Sequence, residues 1–452
     1  MHNPMFVPDE RMISLVFDYC RERLNLDPVP LDFPGDKGVL DRALEGMIAA
    51  AGQDPADVLK VFGDTLAPAV VSCDSPRFLA FIPAAPTKAS LLFDMVVSCS
   101  SLQGASWLEA AGAVAAENQV LRLIADAAGL PAQAGGCFVS GGSAGNLSAL
   151  VVAREVGRYR HPELTGRLRV AVSDQAHSSI GKALAVIGVD PLIIRTDDHR
   201  LTGPALEAAL LADPDPSNVV GVAATAGTTN AGIVDDLAGV GRVAGARGLW
   251  FHVDGAYGGA ALLAPSVRNK FDGIEQADSI VVDPHKWLFA PFDCASLIYR
   301  NPSLARGVHT QDASYLDVIH TDAPDEWNPS DYAYHLTRRA RGMALWFSLA
   351  VHGTEAYAHA VEAGLDAARD AADQIRGRKS LTLLRDPELS VVLFRRDGWS
   401  SADYDNWSRK LLDDQIGFVT PTKWEGETVA RFAFLHPDTT PDIVAEILDT
   451  MS

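Results

Sequence analysis

The sequence predicts an α/β fold: a mostly parallel central sheet with helices on both faces, a helical N-terminal segment, and a smaller α+β domain at the C-terminus. Three observations lead there. From about residue 137 to residue 300, short apolar runs rich in Val, Ile and Ala alternate with stretches of helical spacing. The 452 residues are 48% hydrophobic and 21% charged, enough for a large core and two or three packed units. After residue 335 the alternation gives way to one long helical stretch and then a mixed unit. The expected divisions are 1–78, 79–345 and 346–452.

The elements follow in order. Met12, Leu15, Val16, Tyr19, Arg23 and Leu24 recur at helical spacing in RMISLVFDYCRERLNL, and VLDRALEGMIAAAG reads as a second helix. The Pro-rich SPRFLAFIPAAP reads as loop or short extended pieces. Then CFVS precedes the helix AGNLSALVVAREVGRY, and RVAVS precedes SSIGKALAVIG. LIIRT precedes PALEAALLA, and NVVGVAATA precedes DLAGVGRVAGARG. LWFHVD, SIVVD and CASLIYR close the series. Strand–helix alternation of this kind gives a parallel sheet, whose ligands collect at the carboxyl ends of the strands. The long helical stretch starts at RRARGMALWF. Beyond it VVLFRR, FVTP and ARFAFL read as extended, with helices near YDNWSRKLLDD and PDIVAEILDTM.

Charge and cysteine usage narrow the function. With 58 acidic and 38 basic residues the formal net charge is −20, which argues against nucleic acid or an anionic membrane as partner. MHNPMFVPDERM lacks the basic-then-apolar order of a signal peptide, and no apolar run reaches bilayer-spanning length. The five cysteines (Cys20, Cys73, Cys99, Cys137, Cys294) are scattered, odd in number and free of CxxC pairs. Neither a disulfide framework nor a metal site is expected, and a reducing cytoplasmic compartment fits.

Chemistry gathers just past the strand ends. After CFVS comes Gly141-Gly142-Ser143-Ala144-Gly145-Asn146, a glycine-rich turn into a helix. It suits a phosphate, and equally suits close packing alone. After VAVS comes His177, and after VAATA the small polar turn Gly227-Thr228-Thr229-Asn230. Asp254 follows LWFHV, where it is a ligand carboxylate or a helix cap. SIVV runs into Asp283-Pro284-His285-Lys286, a lysine between two apolar stretches. Each has an ordinary structural explanation. Together they place a phosphate cradle, an imidazole, hydroxyls, a carboxylate and an amine along one sheet edge. Pyridoxal 5'-phosphate needs this set: a phosphate site, a lysine for its aldehyde, and an acid for its pyridine nitrogen. An opposite charge at contact shifts a pKa by about 1–3 units, so that acid keeps the nitrogen protonated.

In GGSAGN, DQAHSS, GTTNAGIVDD, HVDGAYGG, DPHKWL and RRARGMALWF the chain resembles the pyridoxal-phosphate-dependent group II amino-acid decarboxylases. The resemblance runs from SPRFLAFIP to RFAFLHPDTT. It implies the fold type I architecture of pyridoxal-phosphate enzymes, and decarboxylation of an L-amino acid to its amine and CO2. It makes Lys286 the Schiff-base lysine, stacks His177 on the cofactor ring and pairs Asp254 with the pyridine nitrogen. Thr229 comes close to the ring. Gly142, Ser143 and Asp283 go to the phosphate end, with His285 beside the imine. Phe81, Ile82, Ala84, Ala105 and Trp107 surround the substrate side chain. That lining is apolar and implies an aromatic or large apolar substrate. Asp74 is the candidate carboxylate for a basic one, which keeps histidine and diamino acids open. Two departures bear on the substrate: Asp283 is Asn in the animal aromatic enzymes, and Cys73-Asp74 replaces an aromatic and a histidine. The resemblance also implies a homodimer with sites across its interface, and the stripe Met12, Leu15, Val16 and Tyr19 wants a partner. It assigns Tyr315, in the polar stretch before RRAR, as a catalytic tyrosine on a mobile loop that returns a proton to the α-carbon. Two alternatives stand beside this: an aldehyde-forming oxidative deaminase or transaminase on the same fold, and a catalytically silent regulatory protein. Lys286 and Asp254 argue against the silent one.

Overall fold

The computed structural model describes residues 3–319 and 326–451. Seven strands build the central sheet: β1 (Gly135–Val139), β2 (Arg169–Ser173), β3 (Asp190–Ile194), β4 (Val219–Thr225), β5 (Trp250–Asp254), β6 (Ser279–Val282) and β7 (Ala295–Tyr299). Their spatial order is β1-β7-β6-β5-β4-β2-β3. β3, β2, β4, β5 and β6 pair in parallel, and β7 runs antiparallel between β6 and β1. Strands covered on both faces lose polar–apolar alternation. Every residue of β4, β5, β6 and β7 is buried, which is why these segments read as continuous runs.

Helices α1 (Glu10–Leu24), α2 (Lys37–Leu44) and α3 (Pro55–Val61) come first, and none contains a buried residue. α4 (Lys88–Cys99) and α5 (Trp107–Ala127) lead into the sheet. α6 (Gly142–Arg160), α7 (Ser178–Val186), α8 (Gly203–Ala212) and α9 (Leu237–Arg247) are the connections between its parallel strands. α10 (Pro284–Trp287) follows β6, α11 (Pro302–His309) follows β7, and α12 (Met343–Arg376) crosses to the C-terminal unit with a break at Gly353, φ 79°. There β8 (Leu381–Leu383), β9 (Val391–Arg396), β10 (Thr422–Trp424) and β11 (Glu427–Ala433) form an antiparallel sheet ordered β10-β11-β9-β8. α13 (Ser401–Asp413) and α14 (Pro441–Asp449) complete it. A reciprocal Ser400–Asp403 capping box starts α13, worth about 1 kcal/mol. The expected division at 345/346 falls inside α12, which packs Leu345 into the core of the large sheet and Ala368 and Ile375 into that of the small one.

Three expected elements differ. The helix over VLDRALEGMIAAAG stops at Leu44, because Glu45 is extended and Gly46 is left-handed at φ 74°. FVTP supplies only a single bridge from Phe418 to Phe78, and the strand follows at Thr422. RRARG is not helical. Arg338 turns inward to Glu117 at 2.8 Å with both side chains buried, and the Gly342 N–H donates to the same carboxylate at 2.8 Å. Leaving that carboxylate unpaired in the core would cost more than the lost helical turn.

Candidate active site

The carboxyl ends of β1, β2, β4, β5 and β6 open on one cavity of about 300 Å³. Ser140, Gly141, Gly142 and Ser143 wall it after β1, His177 after β2, and Gly227 and Thr229 after β4. Asp254, Ala256 and Tyr257 come from the end of β5, and Asp283, His285 and Lys286 from the end of β6. The expected cofactor-binding residues thus converge in one place.

Lys286 sits in the single turn of α10, whose entry is set by Pro284. Its Nζ lies 3.1 Å from Asp283 Oδ2, and its side chain is about a quarter exposed. The same oxygen accepts the Gly142 N–H at 3.0 Å and lies 3.6 Å from His285 Nε2. Asp283 Oδ1 is buried with no hydrogen-bond partner. Burial pulls the His285 imidazole below its ordinary range, against the pull of Asp283. Its Nδ1 accepts the Cys294 N–H at 3.0 Å, so Nε2 carries the proton toward Asp283. Beneath the lysine, buried Trp287 stacks on Tyr257 with centroids 5.4 Å apart. The Tyr257 hydroxyl is 2.6 Å from Ser390 Oγ on the C-terminal unit.

Gly142 opens α6 with no side-chain cap. A Cβ there would stand 2.9 Å from Asp283 Oδ2 and 3.0 Å from Ala256 Cβ. Glycine alone allows the helix N-terminus this approach to Asp283, and the positive end of a helix attracts an anion. Gly227 makes the β4 turn at φ 112°, where a Cβ would press on the Gly258 backbone at 2.9 Å.

Asp254 is buried at the end of β5. Its Oδ1 accepts the Ala256 N–H at 3.1 Å and its Oδ2 the Asn146 amide at 3.0 Å. His177 caps α7, accepting from the Ser179 N–H at 3.2 Å, and its ring is exposed beside the cavity. Thr229 is exposed, and its carbonyl accepts from Arg431 at 2.6 Å. Arg431 also reaches the Phe81 carbonyl at 3.2 Å, and burial pulls its guanidinium down to about 10.

The expected substrate pocket is a different matter. Phe81, Ile82, Ala84, Ala105 and Trp107 do not line this cavity in the single chain. Ile82, Ala84 and Ala105 are buried in the core, whereas Phe81 is 59% exposed with φ 50°. Trp107 begins α5, its N–H held by Asn328 Oδ1 at 2.9 Å. Asp74 is engaged elsewhere: Arg23 grips both its oxygens at 2.8 and 3.0 Å, beside a separate cavity. Tyr315 falls on the short helix Ser314–Ile319, and its side chain lies outside the described part of the structure. Sequence reasoning passed over Asn146, Ser179 and His252, which hold Asp254 and His177 from behind. The signal was present in WFHVD, where period-two alternation puts Trp250, His252 and Asp254 on one face of β5.

The residues fit pyridoxal phosphate. A lysine amine, an acid, an exposed imidazole and a helix N-terminus share one cavity, and a buried Asp283 oxygen there lacks a partner. The Pyridoxal-dependent decarboxylase conserved domain matches residues 42–397. An aromatic-L-amino-acid decarboxylase of Bacillus atrophaeus is 30% identical over 96% of this chain and 92% of its own. An L-2,4-diaminobutyrate decarboxylase of Rhizobium meliloti (strain 1021) is 32% identical over 83% and 77%. Among solved structures, Oryza sativa TDC with PLP and tryptamine superimposes with a TM-score of 0.91 at 26% identity, covering 100% of this chain and 99% of that one.

Proposed function

The chain belongs to the pyridoxal-dependent decarboxylase family, and on that footing we propose that it decarboxylates an L-amino acid with an aromatic or large apolar side chain, as a cytoplasmic homodimer. Dependence on pyridoxal phosphate and decarboxylation of an amino acid come with the family. The observation that carries the reading is the convergence of Lys286, Asp254, His177 and the α6 N-terminus on one cavity.

When bound, the cofactor supplies a sink for the electron pair left as the substrate's carboxylate departs as CO2. Lys286 Nζ would hold the cofactor through its aldehyde. Asp254 would balance charge on its pyridine nitrogen. His177 would pack against its ring. Gly142, Ser143 and the α6 N-terminus would receive its phosphate. The Tyr315 hydroxyl returns one proton to the α-carbon in place of the lost carboxylate.

Two features support an uncharged substrate side chain. Lys286 is the one lysine or arginine among the described residues that line the cavity. Asp293 at its wall is paired with Arg341 at 2.9 Å. The homodimer is supported by apolar residues the single chain leaves open: Met12, Val16 and Phe17 on α1, Phe81 near the site, Val96 on α4 and Leu108 on α5. A partner across a two-fold axis would cover them and supply the missing substrate wall. Five unpaired cysteines suit a reducing compartment, and no described helix is long and apolar enough to cross a membrane.

Incubation with each of the twenty L-amino acids and L-2,4-diaminobutyrate, reading CO2 and amine, tests the proposal. Turnover of tryptophan, tyrosine or phenylalanine is expected. Turnover of glutamate or diaminobutyrate alone would overturn the aromatic reading, and an active monomer by light scattering would overturn the dimer.

A further inference from the structure

Behind the cavity wall, buried polar atoms form one unbroken chain. Alternation along β5 turns Trp250, His252 and Asp254 to the same face, and the parallel register sets Ser279 of β6 beside His252. α6 delivers Asn146 to that face. Trp250 Nε1 is 2.9 Å from Ser279 Oγ, which is 2.8 Å from His252 Nδ1. His252 Nε2 is 2.9 Å from Asn146 Oδ1. The Asn146 amide nitrogen is 3.0 Å from both Asp254 Oδ2 and Ser179 Oγ, and Ser179 Oγ is 2.8 Å from His177 Nδ1. Trp250, Ser279, His252 and Asn146 are each at most 2% exposed, so no water competes for these bonds.

We propose that this chain is a directional relay in which His252, which does not line the cavity, is a positioning residue that orients Asn146 and through it the Asp254 carboxylate. The direction follows from donor counts. A carboxylate only accepts, so the Asn146 NH2 faces Asp254 Oδ2 and Asn146 Oδ1 faces His252 Nε2, which must donate; Nδ1 is then the acceptor, and Ser279 Oγ, taking the Trp250 N–H, gives it its proton. An imidazole whose Nδ1 accepts carries its proton on Nε2, which donates to Asn146 Oδ1. The Asn146 NH2 then faces Asp254 and Ser179, and Ser179 spends its proton on His177 Nδ1. His177 Nδ1 also accepts the Ser179 backbone N–H at 3.2 Å, so its tautomer is held locally and not by the relay. The opposite His252 tautomer would flip Asn146 and set its oxygen against Asp254 Oδ2, acceptor to acceptor. Burial also keeps His252 neutral, its pKa pulled down to about 4. That Asp254 and His177 serve the cofactor ring rests on the function proposed above; the relay itself does not.

The test is 15N NMR of histidine-labelled full-length protein at neutral pH, with and without pyridoxal phosphate, together with titration of pyridoxal phosphate itself. In the native protein without cofactor, His252 should read as neutral with the proton on Nε2. In His252→Phe pyridoxal phosphate affinity should fall about tenfold or more, the size of one buried hydrogen bond to a charged group. His252→Gln keeps an N–H donor for Asn146 and should hold affinity within about threefold of native. A purely structural His252 would lower stability and affinity alike in both variants, with no rescue by Gln. A native His252 protonated on Nδ1 overturns the proposal, as does a folded His252→Phe with native affinity. Should His252→Phe not fold, Asn146→Leu cuts the same chain and must weaken cofactor binding as much. Native protein that binds no pyridoxal phosphate would sink the proposed function, while the His252 tautomer would still decide the relay.

Discussion

Helices α1 to α3 and strands β4 to β7 are opposite ways of placing an apolar residue. The first three helices contain no buried residue, although α1 carries Met12, Val16 and Phe17 on its surface. The four strands bury every side chain, including His252, Asp254 and Ser279. In the sheet the chain supplies its own partners, and a buried polar group survives because each has a hydrogen bond. In the arm the apolar pattern is left open by the chain itself, and the proposed homodimer would cover it. The strands therefore answer to the chain's own folding, and on that proposal the arm would answer to assembly.

One substitution made in both places should break or confirm that contrast, with the largest effect expected anywhere in the molecule. Val253→Asp buries a carboxylate within the central core and should abolish folding, since an unpaired buried charge costs several kcal/mol and fully buried Val253 has no route to water. Val16→Asp, at a side chain already 44% exposed, should leave the melting of the core unchanged while shifting the protein to monomer and removing activity at low concentration. Light scattering and assay against dilution read it. A Val16→Asp protein that stays dimeric would show that α1 faces solvent.

Next in size is Tyr315→Phe. A phenol acting as general acid is worth about 10²–10⁴ in rate, so amine formation should fall in that range while cofactor binding and the dimer persist. Oxygen can then take the electrons, and aldehyde, ammonia and peroxide should appear instead. Unchanged amine yield would remove Tyr315 from the role and leave the proton to another group at the cavity.

How much of this was legible follows the same contrast. Strands fully buried on both faces were readable because Val, Ile and Ala runs between glycines admit few other structures, and the chemistry at their carboxyl ends was readable because the topology fixes where those ends lie. Lys286, Asp254, His177, Gly142 and Asp283 did meet in one cavity. The substrate wall was not readable in the same way. Phe81, Ala105 and Trp107 sit on segments whose placement depends on packing from outside their own elements, and Phe81 remains open to solvent here. His252 was hidden for another reason: a histidine within an apolar strand looks like filler until the register supplies Ser279 on one side and α6 supplies Asn146 on the other.

Acid should separate the two regions by stability. His252 is held near pKa 4, below its ordinary 6.5, by burial, with Asp254 pulling the other way. The depressed value means its contribution is fully present above 6.5 and is lost as pH falls through about 4. Urea unfolding at fixed protein concentration should therefore show a native-minus-His252→Gln difference that shrinks as the pH drops. A difference that is flat with pH would mean His252 titrates normally in the fold.

The smallest effect should come from one charge, and again the two regions should disagree. Asp283→Asn removes the carboxylate that joins Lys286 Nζ at 3.1 Å to the Gly142 N–H at 3.0 Å. The Asn oxygen can keep the Gly142 bond, so the entry to α6 should hold its shape. What changes is charge: the positive end of α6 no longer has an anion of the protein's own, and a phosphate arriving there meets one less like charge. At the wall of the cavity this is worth on the order of 1 kcal/mol, so pyridoxal phosphate should bind about fivefold more tightly. The lysine, freed of its carboxylate, should also react with the cofactor faster, read by the absorbance of the enzyme-bound form. The matching change in the arm is Asp54→Asn, which caps α3 and pairs with Arg11 at 2.8 Å on an exposed surface. Asn caps a helix as well as Asp does, and an exposed ion pair adds little, so dimerisation and cofactor affinity should both stay put. Weaker cofactor binding by Asp283→Asn would mean that the carboxylate serves the holoenzyme by holding Lys286 in place, rather than standing where the phosphate would go.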